Sequence, residues 1–199
     1  IDDIAKTIGL DPRIGKLFLN AGPGYGGSCL PKDMKAIINF ASNSGIKPTL
    51  LNAVEEVNTT QLQQIITIAN KRLGNLNSKR ITILGTAFKP NTDDIRDSIA
   101  IELIKKLLRK KVKITIHDPK AVENTRKIFG NKINYSRSVG DALSKSQCVI
   151  LMTQWKQYEK LGNNEFKRMT KKIVIDGRRM LSGKQLDVDY FAIGLGKEK

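Results

Sequence analysis

The chain has 199 residues, 40% of them hydrophobic, enough for one large domain or two small ones with a packed core and too apolar for a disordered chain. No apolar run is long enough to span a bilayer, and no signal peptide is read at the start. Lysine and arginine number 35 against 19 acids, a formal charge of +16. The basic residues are spread along stretches such as "KKLLRKKVK" and "KRMTKKI" with no zinc-ligand set or aromatic RNA-binding motif, which disfavours nucleic acid; a few would serve a phosphate-bearing small ligand.

In chain order, the sequence opens at Ile1 inside a helical stretch, which predicts a piece of something longer. "DMKAIINFASNSG" has helical spacing and a stop at Gly45. From Pro48 to Gly74 the apolar positions Leu51, Val54, Val57, Leu62, Ile65, Ile66, Ala69 and Leu73 recur at three and four, giving a long amphipathic helix. Period alone fits either an inter-subunit surface or a plain core helix.

After "GNLNSK" the pattern changes. "RITILGTA", "KVKITIHDP", "QCVILMT", "KIVIDGRR" and "DYFAIGLG" read as short apolar strands. The helical segments "IAIELIKKLLRK", "AVENTRKIFG", "SVGDALSKS" and "NNEFKRMTK" lie between them. Alternating strands and helices predict a parallel sheet covered on both faces. The expected fold is therefore α/β. A helical segment over residues 1–75 precedes a doubly wound, Rossmann-like domain over residues 78–199. Its ligand belongs at the carboxyl ends of the strands. No G-x-G-x-x-G fingerprint follows the first strand; the strand ends carry Lys89, Arg96, Arg178 and Arg179 instead.

"GPGYGGSCLPKD" is the densest motif. Its glycines permit positive φ and close backbone approach. Pro31 suits the first turn of a helix, which places Cys29 at the helix start, where free N–H groups and the helix dipole favour a thiolate. Asp33, four residues on, can share its face. Either a covalent-catalysis site or a glycine turn with an inert cysteine fits this pattern. Cys148, in "QCVILM", reads as a small core hydrophobe. Two dissimilar cysteines predict no disulfide and a reducing, cytoplasmic setting. His117 reads as a turn residue at a strand end, and Trp155 and Tyr158 as packing residues.

These residues resemble the UDP-glucose 6-dehydrogenase family. "LDPRIG", "GPGYGGSCLPKD", "GTAFKPNTDDIRDS" and "DGRR" occur in the family's order and span nearly the whole chain. The resemblance implies an NAD-dependent oxidation of a sugar alcohol to a carboxylate in two hydride transfers. Cys29 is implied as the nucleophile, through a thiohemiacetal and a thioester, and Asp33 as the group that holds or deprotonates water. The backbone of Gly24, Tyr25, Gly26 and Gly27 is implied to line the sugar pocket, with the Tyr25 side chain against the sugar. Phe18 and Asn20 would approach the uridine diphosphate, and Arg13 the sugar nucleotide of a partner subunit. Phe88 and Lys89 would hold the nucleotide, Arg179 (or Arg178) would face the substrate, and Arg96 would reach the NAD phosphates. No metal is implied. The family's first, NAD-binding domain has no counterpart in these residues, and residues 1–75 would form part of a homodimer core. The alternatives are a GDP-mannose or other nucleotide-sugar dehydrogenase, a non-catalytic nucleotide-sugar module, and a nucleic-acid binder.

Overall fold

The computed structural model describes residues 1–195. Three helices come first: α1 (Asp2–Ile8), α2 (Leu30–Asn43) and α3 (Thr49–Leu73). Cys29 is the N-cap of α2 and Pro31 sits in its first turn, where a missing N–H costs nothing. Helix α3 spans 25 residues and ends at Gly74 with φ 71°. The α/β unit then runs β1 (Arg80–Leu84), α4 (Ile99–Arg109), β2 (Lys113–His117), α5 (Val122–Phe129), β3 (Asn134–Tyr135), α6 (Val139–Leu143), β4 (Cys148–Leu151), α7 (Asn163–Phe166), β5 (Ile173–Asp176) and β6 (Asp189–Ala192).

All six strands are parallel, in the order β3-β2-β1-β4-β5-β6. That is the Rossmann order, with its reversal point between β1 and β4. Side-chain alternation divides the strands between two cores. Ile81, Ile83, Cys148, Ile150, Ile173 and Ile175 face a core shared with α3 and α4. Leu84, Val149, Leu151 and Val174 face a second core with Leu143, Phe166 and Tyr158.

The expected boundary falls at the turn between α3 and β1, yet packing crosses it. Leu62, Ile65, Ile66, Ala69 and Leu73, all in the second half of α3, are buried in the first of these cores. The first half is exposed: Leu50 is 76% accessible and Val57 57%. The five expected strands and the expected helices are present, with three differences: a sixth strand, β3, was not expected, α7 is short, and the last strand ends early. The two-residue β3 carries no alternation to read, and α7 is a single turn, shorter than the nine-residue helix expected. The expected last strand ran to Gly196; β6 ends at Ala192, and position 196 lies outside the described residues. Among the described residues no helix is long and apolar enough to cross a membrane, and no cluster of metal-ligating side chains occurs.

Candidate active site

The strand ends are built around two buried carboxylates. At the end of β2, Asp118 Oδ2 accepts from the backbone N–H groups of Thr86 (2.7 Å) and Ala87 (3.0 Å) and from Trp155 Nε1 (3.3 Å). Its Oδ1 accepts from the N–H groups of Lys120 and Ala121. At the end of β5, Asp176 accepts from the N–H groups of Arg178 and Leu181 and from the Tyr190 hydroxyl. A buried carboxylate needs such partners, and here they are backbone donors of the following turns, which become rigid as a result. His117 and Tyr158 belong to this framework: the Tyr158 hydroxyl donates to the His117 carbonyl and lies 2.9 Å from His117 Nδ1. Burial lowers the His117 pKa, partly opposed by the Asp118 charge.

On this platform the glycine loop meets the α/β unit. Gly27 has φ +92°, and a Cβ there would lie 2.6 Å from the Phe88 ring; one on Gly26 would lie 2.3 Å from the Asp97 carbonyl. Both positions therefore require glycine, one for its conformation and both for close approach. The other side of the loop is pinned to α3. Tyr25 N donates to Asn58 Oδ1 at 2.7 Å, Asn58 Nδ2 donates to the Tyr25 carbonyl at 3.2 Å, and the Tyr25 hydroxyl donates to Glu55. Burial, followed by the Glu55 hydrogen bond and charge, pushes the Tyr25 phenol up to about 12.

Between these elements lies a cleft of about 880 Å³. It brings together Phe18, Asn20, Gly24, Tyr25 and Gly26 from the loop side, Phe88 and Lys89 from the turn after β1, and Arg178 after β5. Gln154, after β4, completes a set drawn from both sides of the reversal point. Leu30, Val54 and Val57 give it an apolar wall. Phe18 sits at the entrance, 97% exposed and with φ 63°, a conformation bulky side chains rarely adopt.

Arg178 and its neighbour Arg179 point to different places. Arg178 lines the cleft, its Nε donating to the Met152 carbonyl at 2.8 Å. Burial lowers its pKa, and it forms no ion pair among the described residues. Arg179 lies away from the cleft lining, paired with Asp2 of α1 and donating to the Gly194 carbonyl at 3.4 Å.

Cys29 is exposed at the start of α2, between the cleft residues Gly26 and Leu30, with the Ser28 hydroxyl 3.7 Å from its Sγ. Asp33 donates its N–H to the Cys29 carbonyl at 2.9 Å, one turn on, and its carboxylate lies 3.5 Å from Lys32 Nζ. Arg13 and Arg96 stand outside the cleft lining. Arg13 pairs with Asp11 and Arg96 with Asp94, each at 2.7 Å, and each arginine holds its partner carboxyl below the usual range. Cys148 is fully buried, and desolvation pushes its thiol far up.

Sequence reasoning missed Glu55, Asn58 and Gln61. They lie three residues apart and form a polar stripe among the apolar positions of α3, the one sequence signal that separates this face from a core face.

Fold and site together define a Rossmann-type nucleotide-binding unit joined to a helical arm that carries a glycine–cysteine loop. Comparison with known proteins agrees. Residues 82–183 match the UDP-binding domain of the UDP-glucose/GDP-mannose dehydrogenase family, and residues 1–60 its central domain. The chain belongs to the UDP-glucose/GDP-mannose dehydrogenase family. It is 43% identical over 188 residues to a UDP-glucose 6-dehydrogenase of Haloferax volcanii, which covers 94% of this chain and 43% of that protein. With a UDP-glucose 6-dehydrogenase of Rickettsia conorii it shares 38% identity, covering 98% of this chain and 46% of that protein. A UDP-glucose dehydrogenase structure from Pyrobaculum islandicum superposes with a TM-score of 0.87 at 35% identity, over 95% of this chain and 42% of that one. The chain thus spans a little under half the length of these relatives.

Proposed function

We propose that this chain supplies the nucleophilic cysteine and the nucleotide-sugar site of an NAD-dependent UDP-glucose 6-dehydrogenase. The observation that carries this reading is the Arg178 cleft. A half-buried guanidinium with no carboxylate partner among the described residues lines it together with Lys89, and the cleft ends beside the cysteine loop. A cation held that way favours an anionic ligand, and a guanidinium fork suits phosphate. The relatives named UDP-glucose 6-dehydrogenase support the uridine nucleotide over GDP.

The NAD cradle does not fit this sheet. In a dinucleotide site the amides after the first strand face the pyrophosphate. Here the N–H groups of Thr86 and Ala87 are held by Asp118, and the Thr153 hydroxyl fills the same turn by donating to the Ala87 carbonyl at 2.6 Å. The residues that hold NAD in the whole enzyme therefore lie outside this sheet, with Arg96 the one side chain here assigned toward its phosphates.

This chain's own part is positioning and acyl capture. Phe18, Asn20, Phe88, Lys89 and Arg178 hold the nucleotide, and the Gly24–Gly27 backbone with Tyr25 holds the sugar. Cys29 Sγ adds to the aldehyde carbon to form the thiohemiacetal and carries the acyl group as a thioester once the second hydride would have passed to NAD, held by the rest of the enzyme. Asp33 holds the water that hydrolyses it. The exposed apolar side chains of α1, α2 and the first half of α3, among them Phe40 at 74% accessible, support burial against a second copy as a homodimer.

The test is turnover by the complete protein. UDP-glucose with NAD should give NADH and the sugar acid, and Cys29→Ser should stop net acid formation. Unchanged acid formation by Cys29→Ser would remove the cysteine from the mechanism.

A further inference from the structure

We propose a second anion site at the amino ends of β1 and β2, taking a small, multiply phosphorylated ligand. A cavity of about 340 Å³ opens there, at the end of the strands opposite the cysteine cleft. The parallel register pairs Arg80 with Lys113 and Thr82 with Thr115. With a side-chain period of two, Arg80 and Thr82 share one face, and Lys113 and Thr115 share it with them.

Two like charges side by side on adjacent strands destabilise a sheet unless something compensates them. Among the described residues nothing does so. Arg80, Lys113 and the third cation of the lining, Lys145, form no ion pair among the described residues, and no carboxylate lines the cavity. The floor of the cavity carries Thr82 and Thr115. The buried Thr82 hydroxyl is used up in donating to the Ala142 carbonyl at 2.6 Å, whereas the half-buried Thr115 hydroxyl has no hydrogen-bond partner among the described residues. Three cations without an ion-pair partner among the described residues, gathered in one concavity beside the Thr115 hydroxyl, concentrate positive potential there.

The chemistry favours phosphoryl groups. Arg80 offers a fork of donors, the lysines are point charges, and the Thr115 hydroxyl can donate. The volume suits a diphosphate carrying a small substituent. No aromatic side chain lines the cavity to stack a base, which argues against single-stranded nucleic acid. On β1 the cavity lining stops at Thr82, the cysteine cleft begins at Phe88 beyond the strand's other end, and the two linings share no residue, so they are separate sites.

The experiment is a titration of the ¹⁵N-labelled 199-residue chain with inorganic pyrophosphate, followed by amide shifts. Two groups of resonances should move, one around Phe88, Lys89 and Arg178, the other around Lys113, Thr115 and Ser144 to Ser146. In the double variant Lys113→Gln, Lys145→Gln the second group should need at least about tenfold more pyrophosphate, while the first group titrates as before. Both lysines are exposed, and the unaltered spectrum elsewhere checks the fold. The proposal fails if the second group does not move, or if its midpoint changes less than twofold in the double variant. It fails equally if an oligonucleotide moves those amides at lower concentration than pyrophosphate.

Discussion

Asn58 clasps Tyr25 through both ends of its amide, accepting from the Tyr25 N–H at 2.7 Å and donating to the Tyr25 carbonyl at 3.2 Å. A side chain in the exposed half of α3 thereby mimics the edge of a strand and fixes the glycine loop at its centre. Removing it frees a backbone N–H and a backbone carbonyl in a half-buried place. Asn58→Ala is expected to lower stability by about 1–2 kcal/mol, read from the urea midpoint, and to weaken UDP binding by loosening the loop. A variant with unchanged midpoint and unchanged affinity would show that the clasp is incidental.

Gly27 gives a sharper test of the contact between loop and α/β unit. Gly27→Ala places a methyl group 2.6 Å from the Phe88 ring at φ +92°. The expected loss is about 1–3 kcal/mol, with displaced Phe88 resonances. Gly45, also at positive φ but with open space around it, is the control: Gly45→Ala pays the conformational cost alone and leaves Phe88 undisturbed.

His117 is the only histidine, so the pH dependence of stability between 5 and 7 has few other contributors. Its folded pKa is depressed by burial. The unfolded chain therefore binds the proton more readily below about pH 6.5, and stability rises with pH through this window. Thermal unfolding should shift to lower temperature as pH falls from 7 toward 5, and His117→Gln should flatten that slope. A slope of opposite sign would mean that the imidazolium is stabilised in the fold.

The two cysteines should differ in reactivity. Cys29 is exposed, whereas Cys148 lies in the centre of the sheet with its thiol pushed up by burial. Iodoacetamide should modify Cys29 while Cys148 stays protected until the chain unfolds, a difference on the order of 100-fold or more in rate. Peptide mass spectrometry reads this directly. Comparable labelling of both under native conditions would contradict the packing of β4.

Much of this was legible in the sequence because its signals are local. Gly45 and Gly74 mark helix ends, Pro31 marks a helix start, and β-branched runs mark the buried strands. The doubly wound parallel sheet follows from the alternation of strands and helices, whereas the strand order and its reversal point come from the structure. What stayed hidden depends on long-range geometry. Arg178 and Arg179 are adjacent in sequence, and only the turn after β5, held by Asp176 and with Arg179 at φ 58°, sends one into the cleft and the other to Asp2. Asn58 lies 33 residues from its partner Tyr25, so no window of sequence contains both. The stapling role of Asp118 was equally invisible, since its donors at Thr86 and Ala87 come from another strand end.

The most direct measurement for the central claim is calorimetric titration of the 199-residue chain with UDP, GDP and a random oligonucleotide, repeated on Arg178→Ala. UDP should bind weakly but measurably, and GDP at least about tenfold more weakly. The oligonucleotide should show salt-sensitive retention at most, and UDP affinity should fall about tenfold or more when the charge-assisted contact of Arg178 is removed. Absence of UDP binding, a preference for GDP, or full UDP affinity in Arg178→Ala would contradict the central claim.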